Sequence, residues 1–207
     1  MKKITSPFNI NLQHESVDSQ IMAALERLGE SLRILLSTEA REHGLSPIQA
    51  QVIIFLHTHS PEKNTLSYLA KEFSLTKATL SDVIKVLVEK DLVQRKESPS
   101  DARSQTLALT PAGKKIAVKC GQFATPLLAP VGQLSQQQKL TVKHSLFTLI
   151  HSLYQQGVIT IQRMCYTCVH FSPATPSPFC NLLKIDLTAE KLRLDCPEHE
   201  EKKEQKV

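Results

Sequence analysis

The stretch RKESPSDARSQTLALTPAG, from Arg95 to Gly113, decides the fold of this chain. Two strand-like flanks, residues 92–96 and 105–109, bracket a polar tip that runs from Ser98 to Asp101. Proline presets φ, and Ser and Asp side chains bond their own backbone, so this tip favours a tight turn. The stretch therefore predicts a β-hairpin, and three basic residues lie on or beside it: Arg95, Lys96 and Arg103.

Two short helices are predicted directly before this hairpin. Apolar residues recur at helical spacing from about Thr65 to Phe73 and again over residues 77–90. Thr76 is placed to cap the second helix, because a threonine hydroxyl can accept from the free N–H groups of a first turn. The inward face of that helix comprises Leu80, Val83, Ile84, Leu87 and Val88. A helix pair followed by a basic hairpin is the arrangement of a winged helix, whose second helix enters the major groove of DNA.

Longer helices are predicted on both sides of this unit. The first ends at Gly44, and Ser46-Pro47 is a typical start for the next, which is apolar nearly all round and should be the central buried helix. Thr110-Pro111 is expected to start a helix that Pro126 and Pro130 break, and Ser135 is expected to cap a last long helix. The fold class is therefore mainly α with a small β-hairpin wing (α+β). These helices are predicted over residues 16–43, 47–57, 110–123 and from 136 onward.

The positive charge of the chain is concentrated around the helix pair and hairpin. Of the net charge of +5, about four units fall between Lys63 and Lys115, where ten Lys and Arg stand against six Asp and Glu. Localised positive charge is what phosphate contacts require. No apolar run approaches the roughly 18 residues of a membrane span, and the N-terminus lacks the apolar segment of a signal peptide. We therefore expect a cytoplasmic protein that does not bind membranes.

The same residues resemble the MarR family of winged-helix regulators. The resemblance extends over roughly residues 16–155, and its most specific part is the hairpin pattern Asp-x-Arg followed by Leu-x-Leu-Thr-x-x-Gly. It implies a winged helix-turn-helix dimer fold, in which the first and the last two long helices pack across a two-fold axis. A recognition helix from each subunit would then enter successive major grooves of a palindromic operator. The matching segments are Leu69-Ala70, Leu75 to Ser81, Leu87 to Val93, Asp101-x-Arg103 and Leu107 to Gly113.

The resemblance also implies which residues contact double-stranded DNA. Arg103 matches the wing arginine that reaches phosphates or the minor groove, and Asp101 matches the acid that orders the hairpin and orients that arginine. The family further places small-molecule effector pockets where the first helix meets the last two. The residues assigned to DNA binding are Lys77, Thr79, Ser81 and Lys85 on the helix, and Arg95, Lys96, Asp101 and Arg103 on the wing.

Two positions depart from the family pattern. Asp82 stands where many members carry an arginine after the recognition-helix serine, and Ala102 stands where many carry a second wing arginine. An aspartate that faces DNA repels phosphate, although it can accept from a cytosine amino group. The departures predict an altered sequence preference and a weaker non-specific affinity.

Four cysteines after Gly157 are the second signal: Cys165, Cys168, Cys180 and Cys196. In a cytosolic protein such a cluster more often binds metal than forms disulfides. Four thiolates suit a tetrahedral zinc ion, and they suit a four-iron iron–sulfur cluster equally well. The spacing leaves both open, with a redox disulfide pair as a third alternative. The intervening segment, Asn181 to Leu194, is expected to be part helix.

Two histidines and the fifth cysteine are expected to have other roles than those of the four clustered cysteines. His170 and His199 are possible ligands in place of a thiolate, but we expect them to lie at the surface or beside the ligands. Cys120, on the helix after the wing, is expected to be a small buried hydrophobe.

The sequence thus predicts a DNA-binding transcriptional regulator, a repressor that acts as a homodimer and responds to a small-molecule, metal or redox signal. An enzyme is not expected, since no nucleophile motif, paired carboxylates or glycine-rich phosphate loop is present. The alternative is a metal- or iron–sulfur-containing redox protein on a winged-helix scaffold. An adaptor that used the winged helix for protein contacts should have an uncharged wing, which the three basic residues oppose. We divide the chain into a flexible arm (1–15), a DNA-binding and dimerisation domain (16–157), a four-cysteine metal-binding module (158–200) and a charged tail (201–207).

Overall fold

A computed structural model describes residue 6 and residues 8–13, 15–98, 101–173 and 177–202. Side chains are described for all of these except Leu12, Glu97, Ser98 and residues 101–105. The helices in these ranges are α1 (Ile10–Gln13), α2 (Val17–Glu42), α3 (Pro47–Thr58), α4 (Leu66–Glu72), α5 (Lys77–Glu89), α6 (Pro111–Cys120), α7 (Leu128–Gln133) and α8 (Gln136–Gln155). The strands are β1 (Val93–Ser98), β2 (Asp101–Leu109), β3 (Phe171–Ser172), β4 (Phe179–Cys180) and β5 (Ile185–Asp186), and the short 3₁₀ turns are Pro61–Lys63, Thr125–Leu127 and Cys165–Thr167.

The predicted helix starts are confirmed by their capping contacts. Ser46 caps α3 in a reciprocal capping box with Gln49, and Pro47 occupies the first turn of that helix. Thr76 accepts from the backbone N–H of Thr79 at the start of α5, at 3.1 Å. Helix α3 is the central helix, since most of its apolar side chains are buried in the core that α2, α5 and α6 complete.

The wing is an antiparallel pair of β1 and β2. Val93 pairs with Leu109 and Lys96 with Thr106, and the register shifts beyond Glu97. The base of the wing is fixed to the segment before α4, because Thr65 and Thr106 form a bridge and the N–H of Leu107 donates to the carbonyl of Asn64 at 2.8 Å. The wing and the helix pair therefore share hydrogen bonds as well as a core.

The junction between wing and α6 explains the Thr-Pro-x-Gly pattern in structural terms. The Thr110 hydroxyl donates to the carbonyl of Asp91 at 2.7 Å and accepts from the N–H of Gly113 at 3.0 Å. A Cβ on Gly113 would lie 1.9 Å from the carbonyl oxygen of Leu92. Only glycine lets α6 approach the end of α5 this closely.

Helix α6 ends at Cys120, before Pro126 and Pro130, and Pro130 lies in the first turn of the separate helix α7, where its missing N–H has no intrahelical partner to lose. One local expectation is wrong. The segment from Asn181 to Leu194 contains no helix; it forms a turn, then β5, which completes a three-stranded antiparallel sheet with β3 and β4. Pairing of β5 with the neighbouring strand β4 overrides the weak helical preference of this short segment.

Helix α8, described over its whole length, differs from the other long helices in its burial. Phe147 is its only buried side chain, and its apolar residues Val142, Leu146, Leu149 and Leu153 are exposed. Its hydrogen bonds and ring contacts with other described elements go mainly to the C-terminal segment.

None of the helices in the described ranges has both the length and the apolar character needed to cross a membrane.

Candidate nucleic-acid interface and four-thiol site

Helix α5 presents a polar outer face. Leu80, Ile84 and Leu87 are buried in the core, which fixes the rotation of the helix about its axis. Of the four residues predicted to contact DNA on this helix, Lys77, Thr79 and Lys85 are exposed and Ser81 is half-buried. Exposed polar side chains on the second helix of the pair are available to base edges and phosphates.

The polar residues of α5 differ in how free they are. The hydroxyls of Thr76 and Thr79 lie 2.8 Å apart, so Thr79 is engaged at the helix start. The Lys85 ammonium lies 4.0 Å from the Glu89 carboxylate, an exposed pair that is worth little in water. Asp82 is exposed on the same helix and lowers the positive charge of this surface.

The wing places its basic residues on both faces of the hairpin. Arg95 pairs with Leu107 and Lys96 with Thr106, and neighbouring residues of a strand point to opposite sides. Both are exposed, so together they cannot line a single row of phosphates. Asp101 and Arg103 lie in strand β2 by their backbone, and their side chains lie outside the described part of the chain.

The structure brings the four C-terminal cysteines to one cavity. Cys165 lies in a 3₁₀ turn, Cys168 follows it, Cys180 ends β4, and Cys196 comes from the last loop. All four are free thiols, and they line the same cavity together with apolar side chains of the small sheet and its turns. Residues far apart along the chain therefore face one space.

Backbone and side-chain N–H groups point at the sulfur atoms. The N–H of Arg193 donates to Cys165 Sγ at 3.2 Å, and the N–H of Leu183 donates to Cys180 Sγ at 3.5 Å. The Arg193 guanidinium lies 3.6 Å from Cys196 Sγ. Such donors stabilise thiolates, and hydrogen bonds to sulfur tune both metal and cluster sites.

Without a cation, two of the four thiols, Cys165 and Cys196, favour the protonated state. Burial raises the pKa of Cys165, and the nearby Cys168 and Cys180 raise it further, although the N–H of Arg193 opposes this. Burial also raises the pKa of Cys196, whose thiol donates to the Glu198 carboxylate at 3.2 Å. Metal binding would therefore release protons from this site.

The spacing of the thiols bears on what they hold. A mononuclear tetrahedral zinc site places its thiolates about 3.8 Å apart, as Zn–S bonds of about 2.3 Å require. Among the described residues, only Glu39, His43 and Cys120 form a group of three whose ligand atoms all lie within 4.8 Å of one another. No three of the four cavity thiols therefore have all their sulfur atoms within 4.8 Å of one another. A cluster spreads its ligands, because each thiolate binds a different iron.

The two histidines differ in their relation to this cavity. His170 lines it, and its Nε2 is buried without a hydrogen bond, 3.5 Å from a Glu200 oxygen. His199 does not line it; its Nε2 lies 2.9 Å from the Thr167 hydroxyl. His170 is therefore the candidate fifth group beside the thiols.

A buried arginine that the sequence did not single out joins the C-terminal segment to the helix pair. The Arg163 guanidinium contacts Asp195 at 2.7 and 3.0 Å and Glu72 at 2.6 and 3.1 Å. Burial alone would lower the pKa of Arg163, but the hydrogen bonds to Asp195 and Glu72 raise it. Burial would raise the pKa of Asp195, yet His59 and Arg163 hold it well below its ordinary value. No local sequence pattern around Arg163 indicated that it would pair with Glu72 and Asp195, which are 91 and 32 residues away.

Two surfaces of α2 bear on expectations from the family. A cleft of about 590 Å³ lies between α2, α6 and the loop after α6, where the resemblance implies an effector pocket. Beside it Glu39 and His43 lie 3.2 Å apart, next to the buried Cys120. Elsewhere α2 exposes six large apolar side chains: Val17, Ile21, Met22, Leu28, Leu32 and Ile34.

Comparisons with known proteins agree with this geometry. The model of the MarR family matches residues 43–104, from the end of α2 into the wing. No curated protein matches the sequence. The MepR–DNA complex of Staphylococcus aureus is 21% identical, with a TM-score of 0.55, and covers 64% of this chain and 97% of its own. A MarR transcriptional regulator of Methanosarcina mazei Go1 is 20% identical, with a TM-score of 0.53, and covers 67% of this chain and 96% of its own.

At these identities the solved structures establish the fold. Because each is matched over nearly its whole length, about a third of this chain has no counterpart in them. The MarR family model matches the segment from the end of α2 through α3, α4 and α5 into strand β2, which includes the outer face of α5. The winged-helix part of this chain is thus similar to the MarR family in sequence over that segment, and it shares the fold of the solved MarR-type structures.

Proposed function

We propose that this protein is a DNA-binding transcriptional regulator that represses as a homodimer and senses a signal through its four-thiol site. The observation that carries the DNA-binding role is the exposed polar face of α5 beside a basic wing, both fixed to one core. Lys77 and Lys96 would contact phosphates, while Thr79 and Ser81 would meet base edges. The MepR structure that contains DNA shares this fold.

The homodimer is supported by the apolar faces of α2, α7 and α8. Leu128 and Val131 on α7 are exposed, as are the four apolar residues on α8 and the six on α2. Large apolar side chains exposed in this number are unfavourable in water and are typical of an interface. A two-fold axis through these helices would set two α5 helices side by side on a palindromic operator.

The DNA-binding role predicts a steep dependence of affinity on salt. With about six phosphate contacts per dimer, the affinity for a random-sequence duplex should fall roughly 1,000-fold between about 50 and 200 mM salt. Lys96→Ala should reduce the slope of log affinity against log salt by about one for each phosphate that Lys96 neutralises, hence about two per dimer. Fluorescence anisotropy of labelled duplex measures both quantities.

The matched control for this measurement is Lys191→Ala. Lys191 is an exposed lysine of the C-terminal segment, so its loss changes the net charge equally but should leave the slope unchanged. If the wild-type protein did not bind duplex even at low salt, the regulator proposal would fail. The redox-protein alternative would then gain support.

The signal is proposed to act through a four-iron cluster held by Cys165, Cys168, Cys180 and Cys196. When bound, such a group would supply a charge and coordination state that respond to iron supply or oxidants. The wide spacing of the thiols and the N–H groups directed at them favour the cluster over zinc. The cleft between α2 and α6 would offer a second input for a small molecule.

Metal content tests this part of the proposal. Protein purified without oxygen should contain about four iron atoms and an equal amount of acid-labile sulfide per chain, and should be brown. One zinc ion per chain, with a colourless protein, would exclude the cluster and retain a metal site. The absence of both metals would overturn the metal site altogether.

A further inference from the structure

The ion pairs of Arg163 connect the winged-helix domain with the C-terminal cysteine module, which the sequence analysis assigned to separate domains. Asp195 belongs to the C-terminal segment, and Glu72 is the last residue of α4. The guanidinium makes two hydrogen bonds with each carboxylate and is only 8% exposed. Because the guanidinium is planar and makes two hydrogen bonds with each carboxylate, it fixes both the distance and the relative orientation of Asp195 and Glu72. A lysine ammonium could not do this.

The same backbone that carries Arg163 and Asp195 also carries two of the thiols. Cys165 follows Arg163 by two residues, and Cys196 directly follows Asp195. The N–H of Cys196 donates to the carbonyl of Arg163 at 3.0 Å, and the N–H of Cys165 donates to the carbonyl of Arg193 at 3.0 Å. Any group that draws Cys165 and Cys196 to one centre therefore also fixes Arg163 against Asp195.

Arg163 also contacts the winged-helix domain, at side chains of α3 and α4. Its Nη1 donates to the Tyr68 hydroxyl at 3.1 Å, and its Cζ lies 5.4 Å from the Phe55 ring. His59, stacked on Phe55, lies 3.0 Å from Asp195. The Thr160 hydroxyl donates to the carbonyl of Lys71 at 3.1 Å. These contacts reach the end of α3 and helix α4, and one short turn leads from the end of α4 into α5.

We propose that Arg163 is a positioning residue that couples occupancy of the four-thiol site to the orientation of α5, with Glu72 as its contact on the helix pair. This inference rests on the proposed function and names the route by which that site regulates DNA binding. When the site is loaded, the Arg163–Asp195 pair is held in place and orients Glu72 and α4. When it is empty, the loops that bear Cys165 and Cys196 lose their common centre, and the hold on Glu72 weakens.

A second route from the thiol module leads to α8. Lys143 Nζ donates to the carbonyls of Ala189 and Glu190, each at 2.9 Å, and the Tyr166 ring packs edge-on against Phe147. Through these contacts the module could alter the proposed dimer interface without Arg163. The two sets of contacts can be distinguished, because one substitution removes each: Glu72→Gln weakens the contact with Arg163, and Lys143→Ala removes the contact with α8.

The test measures a coupling ratio. A duplex is selected from a random pool by the metal-loaded protein, and its dissociation constant is measured for loaded and for chelator-treated protein. Ligands coupled through a protein typically change each other's affinity 5- to 150-fold. We expect a ratio of about tenfold for the wild type, and a ratio near one for Glu72→Gln with its metal content unchanged.

Three companion variants keep the result interpretable if Glu72→Gln folds poorly. Tyr68→Phe removes one hydrogen bond to Arg163 and should lower the ratio only in part, whereas Glu72→Asp should restore most of it. Lys143→Ala, which cuts the α8 route, should leave the ratio intact. By reciprocity, bound duplex should raise the affinity for metal, measured at equilibrium against a competing chelator, by the same factor in the wild type, and it should not do so in Glu72→Gln.

The outcomes separate the two proposals. A full ratio in Glu72→Gln, or a ratio abolished by Lys143→Ala alone, would overturn the role of Arg163. A wild type that binds the duplex equally with and without metal would overturn the coupling and leave the DNA-binding role standing. A wild type that selects no duplex would show that the proposed function itself has failed.

Discussion

Replacing Cys165 with serine should leave the protein without bound metal. A serine hydroxyl does not ionise at neutral pH and is a poor ligand for iron or zinc, so the site would keep three thiolates at most. Burial raises the pKa of Cys196, one of the three remaining thiols, so that thiol favours its protonated, non-binding form when no cation is present. We therefore expect at least a tenfold loss of metal affinity and no brown colour after gel filtration.

The control for this result is the fifth cysteine. Cys120 is fully buried in the core of the winged helix, and it does not line the thiol cavity. Cys120→Ala should cost some stability through the cavity it leaves, but it should keep the full metal content. Elemental analysis and visible absorbance of both variants, prepared without oxygen, make the comparison. Full metal retention in Cys165→Ser would contradict the site.

Replacing Gly113 with alanine should destabilise the winged helix strongly. The added Cβ would lie 1.9 Å from the carbonyl oxygen of Leu92 and 2.9 Å from its carbonyl carbon. Both are backbone atoms between α5 and β1, so no side chain can rotate away to make room. We expect the free energy of unfolding to fall by at least about 2 kcal/mol, as overpacking in a rigid site does. Urea denaturation followed by circular dichroism measures it.

Gly132 offers a matched control for this substitution. It lies in α7, and a Cβ there would meet no heavy atom within 4 Å. Gly132→Ala should therefore be neutral or should stabilise the protein by about 0.5–1 kcal/mol, because alanine favours the helix. Equal losses in both variants would show that the contact with Leu92 does not explain the glycine.

The helix pair and wing could be predicted from the sequence because their signals are local. Thr76 and Ser46 cap helices within three residues of themselves, and the Ser98 to Asp101 tip is a turn signal within four residues. Exposure of Lys77 and Lys85 follows from the helical spacing of their buried neighbours. Periodicity and capping carry such features without reference to distant parts of the chain.

The C-terminal module could be predicted only in its chemistry. The cysteine pattern indicated a four-ligand site, and the structure brings those four thiols to one cavity. The sheet of β3, β4 and β5 was missed because its strands have two residues each, too short for any alternation to be seen. Arg163 was missed because its partner Glu72 is 91 residues away, and no local pattern encodes a pairing at that distance.

The hydrogen bond from the N–H of Leu107 to the carbonyl of Asn64 joins the wing and the helix pair into a single structural unit. Because β2 is bonded to the segment before α4, the wing cannot turn about α5 without breaking that bond and the Thr65–Thr106 bridge. In the proposed homodimer, two such units would then respond to a signal only by changing their distance and tilt relative to each other. A responsive operator should accordingly be sensitive to the number of base pairs between its half-sites more than to the flexibility within each half-site.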